Sequence, residues 1–224
     1  MNHSFALGKL NIGLLAVLGA FCLLVVQTDR TAAATGGVNI TPPKTSGKVP
    51  AVNGARFGTR TLREGMAGPD VKVLQGIVRS KRLLANSPLT GNFDRPTTSA
   101  VRRFQSSIEL GSNGVVNRTT ARAMVSSLRT SEASWYGPGL YGNGTACGKV
   151  TLRPNTIGLA NKNLPCGTKV LIGYRGRYVI APVIDRGPYI PGRTWDLTAA
   201  AAEAIGLTSA GIGRVRHAII SRGD

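Results

Sequence analysis

The feature that most constrains the fold is a change in hydrophobic pattern partway along the chain. Between residues 62 and 126, apolar side chains recur every three or four positions, which is typical of amphipathic helices. Beyond Glu132, short segments of β-branched or alternating character are separated by Gly and Pro turns, which is typical of strands. Two patterns in separate stretches predict a helical domain followed by a β domain.

The first predicted helix begins at Gly68-Pro69, because Pro is favoured in the first helical turn. Val71, Leu74 and Val78 then recur at the spacing of one helix face. This spacing predicts one amphipathic helix.

Two further helices are predicted from their N-terminal residues, Asp94 and Asn117, which are both favourable N-caps. The segments that contain them repeat each other. Gly91–Val101 and Gly114–Met124 align at an offset of 23 residues, with Gly, Arg, Thr and Ala in common. The repeat predicts a small three-helix domain over residues 61–129.

The β stretch, residues 130–224, contains four candidate strands and one helix. The helix has Thr198 as its N-cap and Gly206 as its stop. The strands are Ala133–Tyr136, Thr168–Ile172, Arg177–Ile184 and Val215–Ser221. A stretch of this length with a single short helix predicts a small β-barrel.

The N-terminus has the three-part pattern of an export signal. A positive charge at Lys9 precedes the apolar run Leu10–Val26, and Thr31–Ala34 supplies small residues for a signal peptidase. We expect residues 1–34 to be a signal peptide, since the apolar core is shorter than the roughly twenty residues that cross a bilayer comfortably. The protein would then be secreted, to the cell wall or the periplasm. An uncleaved membrane anchor is the alternative.

The next stretch, residues 35–60, is rich in Gly, Pro, Thr and Ser and has few large apolar residues, so it is expected to be a linker. The whole chain carries 28 Lys and Arg against 10 Asp and Glu, a formal charge of +18. A basic chain binds polyanions, but export argues against nucleic acid as a partner. Anionic wall polymers are therefore candidate partners, and a membrane is expected as one only through an uncleaved signal.

Cys147 and Cys166 are the two cysteines that remain once the signal is removed. Two cysteines in an exported chain predict one disulfide. No metal or other cofactor is expected, because there is no second cysteine pair and the signal contains one of the two histidines. The other histidine, His217, lies in the last predicted strand, and we expect it on the surface.

Four motifs of the helical stretch occur together in a known family. They are Leu-x-x-Gly at Leu62–Gly65, Gly-x-Asp-Val-x-x-Leu-Gln at Gly68–Gln75, Gly-x-Phe-Asp at Gly91–Asp94 and Ala-Val-x-x-Phe-Gln at Ala100–Gln105. In this respect the stretch resembles the peptidoglycan-binding domain of cell-wall hydrolases. The resemblance implies that the domain binds peptidoglycan in a groove between its helices.

The motifs of the β stretch occur in the order found in the rare lipoprotein A (RlpA) family. They are Ala133–Gly137, Thr145-Ala146, Leu164-Pro165, Gly167–Val170, Val183–Pro188 and Gly192-Arg193-x-x-Asp196-Leu197. The resemblance implies a six-stranded double-psi β-barrel, similar to the barrel of expansins. Some members of the family are lytic transglycosylases that act on peptidoglycan strands poor in stem peptides.

The resemblance to lytic transglycosylases implies a reaction without water. These enzymes cleave the bond after N-acetylmuramic acid with the sugar's own 6-hydroxyl as the nucleophile, which closes a 1,6-anhydro ring. One carboxyl group of raised pKa can protonate the leaving oxygen and then accept the hydroxyl proton. Asp185 is the expected acid/base, because it ends a largely apolar strand before a Gly-Pro turn. Asp196 matches the second Asp of the expansin-like pattern and is expected to align Asp185 or to bind glycan hydroxyls.

Six further residues lie in or near the same motifs and are candidates for binding the glycan. They are Ser134, Trp135, Tyr136, Asn161, Arg186 and Tyr189. Aromatic rings stack on sugars, although core packing is the commoner role of a Trp. Structural roles for the carboxylates also stay open: Asp185 as a turn-stabilising residue, and Asp196 as a cap or as the partner of an arginine.

Two positions depart from the catalytic members of the family. Those members carry an acid just after the Thr-Ala segment and a His before Leu-Pro, where this chain has Lys149 and Asn161. A lysine cannot replace a carboxylic acid at neutral pH, and an asparagine cannot shuttle a proton. The sequence therefore leaves two functions open, a lytic transglycosylase and a non-catalytic, expansin-like wall-binding or structural protein.

Overall fold

The computed structural model describes residues 54–85, 88–148 and 150–223. The predicted signal, most of the predicted linker and Lys149 lie outside these ranges. Within them, no helix combines the length and the apolar character that are needed to cross a bilayer.

Three helices precede the barrel: α1 (Pro69–Ser80), α2 (Arg95–Ser107) and α3 (Arg118–Ser126). Asp94 caps α2, because its side chain accepts a hydrogen bond from the backbone N–H of Thr97 at 2.9 Å. Asn117 caps α3 through the backbone N–H of Thr120, also at 2.9 Å. These two predicted N-caps are confirmed, since each satisfies a backbone donor that the helix itself leaves unpaired.

Gln75 and Gln105 make the same hydrogen bonds in the two copies of the internal repeat. Each is 2% exposed, donates through its amide nitrogen to a backbone carbonyl and a threonine hydroxyl, and accepts from a glycine N–H. These partners are Asn92, Thr97 and Gly91 for Gln75, and Val115, Thr120 and Gly114 for Gln105. Each amide also donates to one further side chain, Thr90 for Gln75 and Asn113 for Gln105. Each partner of Gln105 lies 23 positions after the corresponding partner of Gln75, so the sequence repeat is also a repeat of hydrogen bonds.

Seven strands, one further α-helix and a short 3-10 helix at Thr208–Ala210 complete the described fold. The strands and the α-helix are β1 (Ala55–Arg56), β2 (Arg129–Tyr136), β3 (Leu159–Ala160), β4 (Lys169–Tyr174), β5 (Arg177–Asp185), β6 (Arg193–Thr198), α4 (Ala199–Ile205) and β7 (Gly213–Ser221). The hydrogen-bonded order β5-β3-β6-β2-β7-β4 is closed by pairing of β4 with β5. The six-stranded barrel that the family resemblance implies is therefore present. Its β2–β6 and β3–β5 pairs are parallel, and its other pairs are antiparallel.

The short strand β1 lies within the stretch that the sequence predicts to be a linker. It pairs with the start of β5, where Ala55 lies opposite Tyr178. Phe57 follows it and packs edge-to-face on the ring of Tyr178, with the ring centroids 6.5 Å apart. Phe57 is 6% exposed, so this large apolar side chain secures the end of the stretch to the barrel.

Helix α1 packs directly on the barrel. Its Gly76 faces Leu171, Ile180 and Ile220, and a Cβ placed on that glycine would lie 3.2 Å from the nearest atom of Ile220. Leu171 and Ile220 belong to the same buried hydrophobic cluster as the apolar face of α1. The helices and the barrel therefore share one core, and the absence of a side chain at Gly76 allows the close approach.

His217 is buried, which corrects the expectation that it lies on the surface. It is 7% exposed, because the period of two along β7 places it on the same face as Val215, which is fully buried. The His217 Nε2 lies 2.8 Å from the Ser131 hydroxyl, and the ring packs edge-on against Trp195 at 5.2 Å between centroids. Burial, with a smaller effect from the charge of Arg129, lowers the pKa of His217 to about 4.

Candidate active site

The strand register brings the two candidate catalytic carboxylates to adjacent positions. Ala160 on β3 lies opposite Asp185 on parallel β5 and opposite Asp196 on antiparallel β6. The two Asp Cα atoms are thus separated by two inter-strand spacings, about 10 Å. The short strand β3 brings the two carboxylates together, because it pairs with both β5 and β6.

Asp196 is the more sheltered of the two carboxylates. The Ser134 hydroxyl donates a hydrogen bond to its Oδ1 at 2.9 Å, and Arg193 Nη1 donates to the same hydroxyl at 3.3 Å. Burial raises the pKa of Asp196 to about 6, because it penalises the charged form more than Ser134 and Arg193 stabilise that form. The negative charge of Asp185 adds to the increase.

Asp185 is held by backbone donors at the end of β5. Its Oδ1 accepts hydrogen bonds from the N–H groups of Ala146 and Arg186, both at 2.9 Å. These are bonds of the kind that the turn-stabilising alternative predicts. Since both bonds use Oδ1, Oδ2 is left for a substrate or for the Tyr136 hydroxyl.

The Tyr136 hydroxyl lies near both carboxylates. Burial is the main reason why its pKa is raised, and the negative charges of Asp185 and then Asp196 raise it further. The hydroxyl lies within interaction range of Asp185 but makes no hydrogen bond of standard geometry in the part of the chain that the structure describes. A buried hydroxyl in this position remains a protonated donor, which suits a bound sugar or the Asp185 carboxylate.

The predicted disulfide between Cys147 and Cys166 is present. It ties the loop that supplies the Ala146 N–H to the segment that follows β3. Arg186 strengthens the same connection, because its guanidinium donates to Cys166 Sγ at 3.0 Å and to the carbonyl of Asn161 at 3.3 Å. Arg186 therefore stabilises the loops beside Asp185 through these two hydrogen bonds.

The side chain of Asn161 is hydrogen-bonded to the backbone at both ends of its amide. Its Nδ2 donates to the carbonyl of Thr194 at 3.1 Å, and its Oδ1 accepts from the N–H groups of Asn163 and Leu164 at 3.1 and 2.9 Å. The residue is 8% exposed. In this arrangement Asn161 fixes the turn after β3 and the position of β6.

The candidate aromatic residues have different surroundings. Tyr189 is 76% exposed, with Lys162 Nζ 6.0 Å from its ring centroid, whereas Trp135 is partly buried against the barrel core. Tyr189 is followed by Ile190, which is 45% exposed. Leu140 is a further exposed apolar residue, in the loop after β2. The motifs do not mark Leu140 or Ile190, because isolated apolar loop residues carry no sequence signal.

The structure therefore brings four predicted residues together on β2, β5 and β6: Ser134, Tyr136, Asp185 and Asp196. Sequence reasoning missed Arg193 as a site residue, because its hydrogen bond to the Ser134 hydroxyl joins two strands that are distant in sequence. The described ranges contain no cluster of His, Cys, Asp and Glu that could hold a metal ion. The chemistry available here is that of a carboxylic acid, a second carboxylate and hydroxyl donors.

Two family models match the chain. Residues 67–124 match a peptidoglycan binding domain, and residues 129–217 match a family described as lytic transglycolase. The barrel is thus RlpA-like, and the stretch before it is similar to peptidoglycan-binding domains.

This RlpA-like chain is similar to several curated bacterial proteins. It is 40% identical over 107 residues to the "Probable endolytic peptidoglycan transglycosylase RlpA" of Synechocystis, a match that covers 47% of this chain and 33% of the relative. A protein of the same name from Nostoc is 34% identical over 157 residues, covering 66% and 39%. The RlpA-like chain thus matches between a third and two fifths of the length of these relatives.

Two solved structures also resemble parts of the RlpA-like chain. The SleB N-terminal domain has a TM-score of 0.30 and 26% identity, and the match covers 31% of this chain and 94% of that one. The apo form of a Clavibacter michiganensis expansin has a TM-score of 0.36 and 21% identity, covering 42% and 51%. At these TM-scores the two structures add nothing to the assignment.

Proposed function

We propose that the protein is an exported peptidoglycan-binding lytic transglycosylase of the cell wall or periplasm. The helical domain would hold peptidoglycan, and the barrel would cleave its glycan strands. Support comes from the two family models and from relatives that are named as endolytic peptidoglycan transglycosylases. The two-domain organisation predicted from the sequence, 61–129 and 130–224, is part of this proposal.

The observation that carries the proposal is the contrast between Asp196 and Asp185. Asp196 has a pKa of about 6, so it holds a proton at mildly acidic pH and releases it near neutrality. Asp185 is held by two backbone N–H groups, which suit a fixed carboxylate. Sequence similarity alone assigns the acid/base role to Asp185, whereas the burial of Asp196 favours Asp196 in that role and Asp185 as the stabilising anion.

In the proposed reaction, Asp196 protonates the oxygen that leaves the muramyl C1, and the C1–O bond breaks. The resulting Asp196 carboxylate then takes the proton of the sugar's 6-hydroxyl, whose oxygen forms the new bond to C1. Asp196 ends as it began, and no water is consumed. Asp185 would stabilise the positive charge that develops on the sugar ring. Ser134 orients Asp196 through the 2.9 Å hydrogen bond.

A second function is supported by the surroundings of Asn161. Its amide is hydrogen-bonded to three backbone groups and fixes a turn. A side-chain amide also cannot shuttle a proton to or from a substrate. A barrel that only binds glycan, as in the expansin-like alternative, needs no proton shuttle at this position. In that case Ser134, Tyr136, Asp185 and Asp196 would act as hydrogen-bonding groups.

Product analysis separates the two functions. The full chain with its disulfide intact, and its Asp196→Asn and Asp185→Asn variants, would be incubated with whole sacculi and with glycan strands stripped of peptides. Glu109→Gln is the matched control, because it removes an exposed carboxylate of the helical domain. Mass spectrometry would then identify the soluble fragments.

Anhydro-muramyl fragments from the wild type and from Glu109→Gln, but not from Asp196→Asn, would support the transglycosylase. Equal fragment yields from Asp196→Asn and the wild type would contradict the acid/base role of Asp196. If none of the proteins released fragments while all of them bound sacculi, the wall-binding alternative would replace the enzyme.

A further inference from the structure

A groove lined by arginines lies between α3 and the barrel. Its cavity has a volume of about 630 Å³. The helix contributes Arg118 and Arg122, and the barrel contributes Arg175, Arg214 and Arg216. None of the residues that line the groove is acidic. The groove is separate from the candidate active site, because neither Asp185 nor Asp196 lines it.

The floor of the groove is apolar. Phe57 and Tyr178 meet there edge-to-face, and Ala121 of α3 lies beside them. An apolar floor beneath charged walls suits an extended ligand whose central part packs on the floor and whose charged groups reach the arginines at the sides.

The arginines form two rows with similar spacing. Arg118 and Arg122 are four residues apart on α3, so they are about 6 Å apart along the helix axis. Arg214 and Arg216 are two residues apart on β7 and share one face of the strand, at a spacing of about 7 Å. An extended chain that carries negative groups every 6 to 7 Å would match both rows, roughly the repeat of alternate residues in an extended peptide.

The groove arginines have no carboxylate partner within the described ranges. The two ion pairs found there, Arg60 with Asp70 and Arg95 with Glu64, lie elsewhere. Two of the groove arginines are already oriented by neutral groups. Arg216 donates to the carbonyl of Val125 at 3.1 Å, and the Arg175 guanidinium lies 5.1 Å from the ring centroid of Tyr174. Five guanidinium groups repel one another unless an anion joins them, and each can bind a carboxylate through two hydrogen bonds.

We propose that this groove binds the acidic stem peptides of peptidoglycan. In that polymer the negative charges lie on the peptide carboxylates, because the muramyl carboxyl group is consumed in the amide bond to the peptide. The groove also joins a helix of the peptidoglycan-binding domain to the barrel, so one bound peptide would contact both. The inference rests on the proposed function for the identity of the polymer.

The test uses the full chain and paired substitutions. Arg118→Gln/Arg122→Gln removes the exposed helical row, and Arg118→Lys/Arg122→Lys keeps the charges but removes the bidentate geometry. Arg63→Gln/Arg153→Gln is the control, because it removes two exposed arginines outside the groove. Binding would be measured to a labelled stem tetrapeptide containing D-glutamate and diaminopimelate, to whole sacculi and to peptide-free glycan strands, with polyphosphate and duplex DNA as competitors.

We expect the glutamine pair to bind the tetrapeptide on the order of tenfold more weakly than the control, the lysine pair to lie between them, and binding to peptide-free strands to stay unchanged. Equal affinity of the glutamine pair and the control would overturn the proposal. So would binding of polyphosphate or DNA at the groove with no binding of the peptide. Release of anhydro fragments from peptide-free strands is scored separately, so failure of the enzyme proposal and failure of the groove proposal give different results.

Discussion

Asp185 and Asp196 lie on either side of the same residue, Ala160, in the barrel sheet. They come from two motifs separated by a Gly-Pro turn, and β3 inserts between the strands that carry them. The pair is asymmetric, because Asp185 is held by backbone N–H groups, whereas Asp196 is half-buried and accepts a hydrogen bond from the Ser134 hydroxyl. Burial raises the pKa of Asp196 to about 6, which suits a group that donates and accepts a proton near neutrality.

The first prediction concerns the pH dependence of cleavage. If protonated Asp196 is the acid, the rate of anhydro-product formation falls as the pH rises above about 6. The hydrogen bond from Ser134 lowers the pKa of Asp196, so Ser134→Ala should move this falling limb to higher pH. Product release measured between pH 4.5 and 8 checks both effects. If the pH at which the rate falls is the same in Ser134→Ala and the wild type, a group other than Asp196 controls this fall.

The second prediction concerns the stability cost of Asp196. Its pKa rises from 3.8 to about 6 on folding, so the folded state binds the proton more tightly and the free energy of unfolding decreases as the pH rises between these values. Above pH 6 the full cost is present, on the order of 3 kcal/mol at most. Asp196→Asn should therefore raise the melting temperature at pH 8 and have little effect near pH 4. Calorimetry at the two pH values measures the melting temperatures. An equal change at both pH values would contradict the raised pKa of Asp196.

The third prediction concerns the disulfide. The Cys147–Cys166 bridge closes a loop with a sequence separation of 19 residues, which corresponds to about 3 kcal/mol of stability in the chain-entropy model. Reduction, or the Cys147→Ser/Cys166→Ser pair, should lower the unfolding midpoint in urea. It should also reduce cleavage beyond the effect on stability, because the Ala146 N–H that holds Asp185 lies beside the bridge. Full activity of the folded, reduced protein would show that the disulfide does not help to position Asp185.

The fourth prediction concerns acid denaturation. His217 is neutral in the folded protein, with its pKa lowered from 6.5 to about 4 by burial. Unfolding exposes a group that takes up a proton more readily, so stability is lost as the pH falls from 6.5 to 4, by on the order of 3 kcal/mol. His217→Gln offers an amide to the Ser131 hydroxyl without this titration, so its stability should depend less on pH in that range. Urea titrations at pH 7 and pH 4 compare the two proteins.

The fifth prediction concerns the contact between α1 and the barrel. Gly76→Leu places a large side chain against Leu171, Ile180 and Ile220, where even a Cβ alone would lie 3.2 Å from the nearest atom of Ile220. We expect a loss of roughly 2 kcal/mol or more and separate unfolding of the helices and the barrel. Ala100 and Val101 of α2 lie in the same core, so Val101→Ala is the control that should destabilise the protein by a cavity without separating the two parts. A single transition in Gly76→Leu would show that the shared core tolerates the insertion.

Local signals account for the features that the sequence determined. Asp94 and Asn117 cap their helices because an N-cap depends only on a side chain and the next three residues. The cysteine count sufficed for the disulfide, since only two cysteines follow the predicted signal. The 23-residue repeat predicted the helical stretch, and the resemblance to the RlpA family, which the barrel motifs carry, implied the six-stranded barrel.

The tertiary structure decided what depends on contacts between distant strands. The burial that raises the pKa of Asp196 arises where β6 packs beside β2 and β3, and no local motif encodes it. His217 was placed on the wrong face because its environment is set by Val215 and Trp195 inside the closed barrel. The arginine groove exists only because α3 lies against the barrel. The sequence specifies local conformation through neighbouring residues, whereas burial and electrostatics at the site depend on which surfaces the fold brings together.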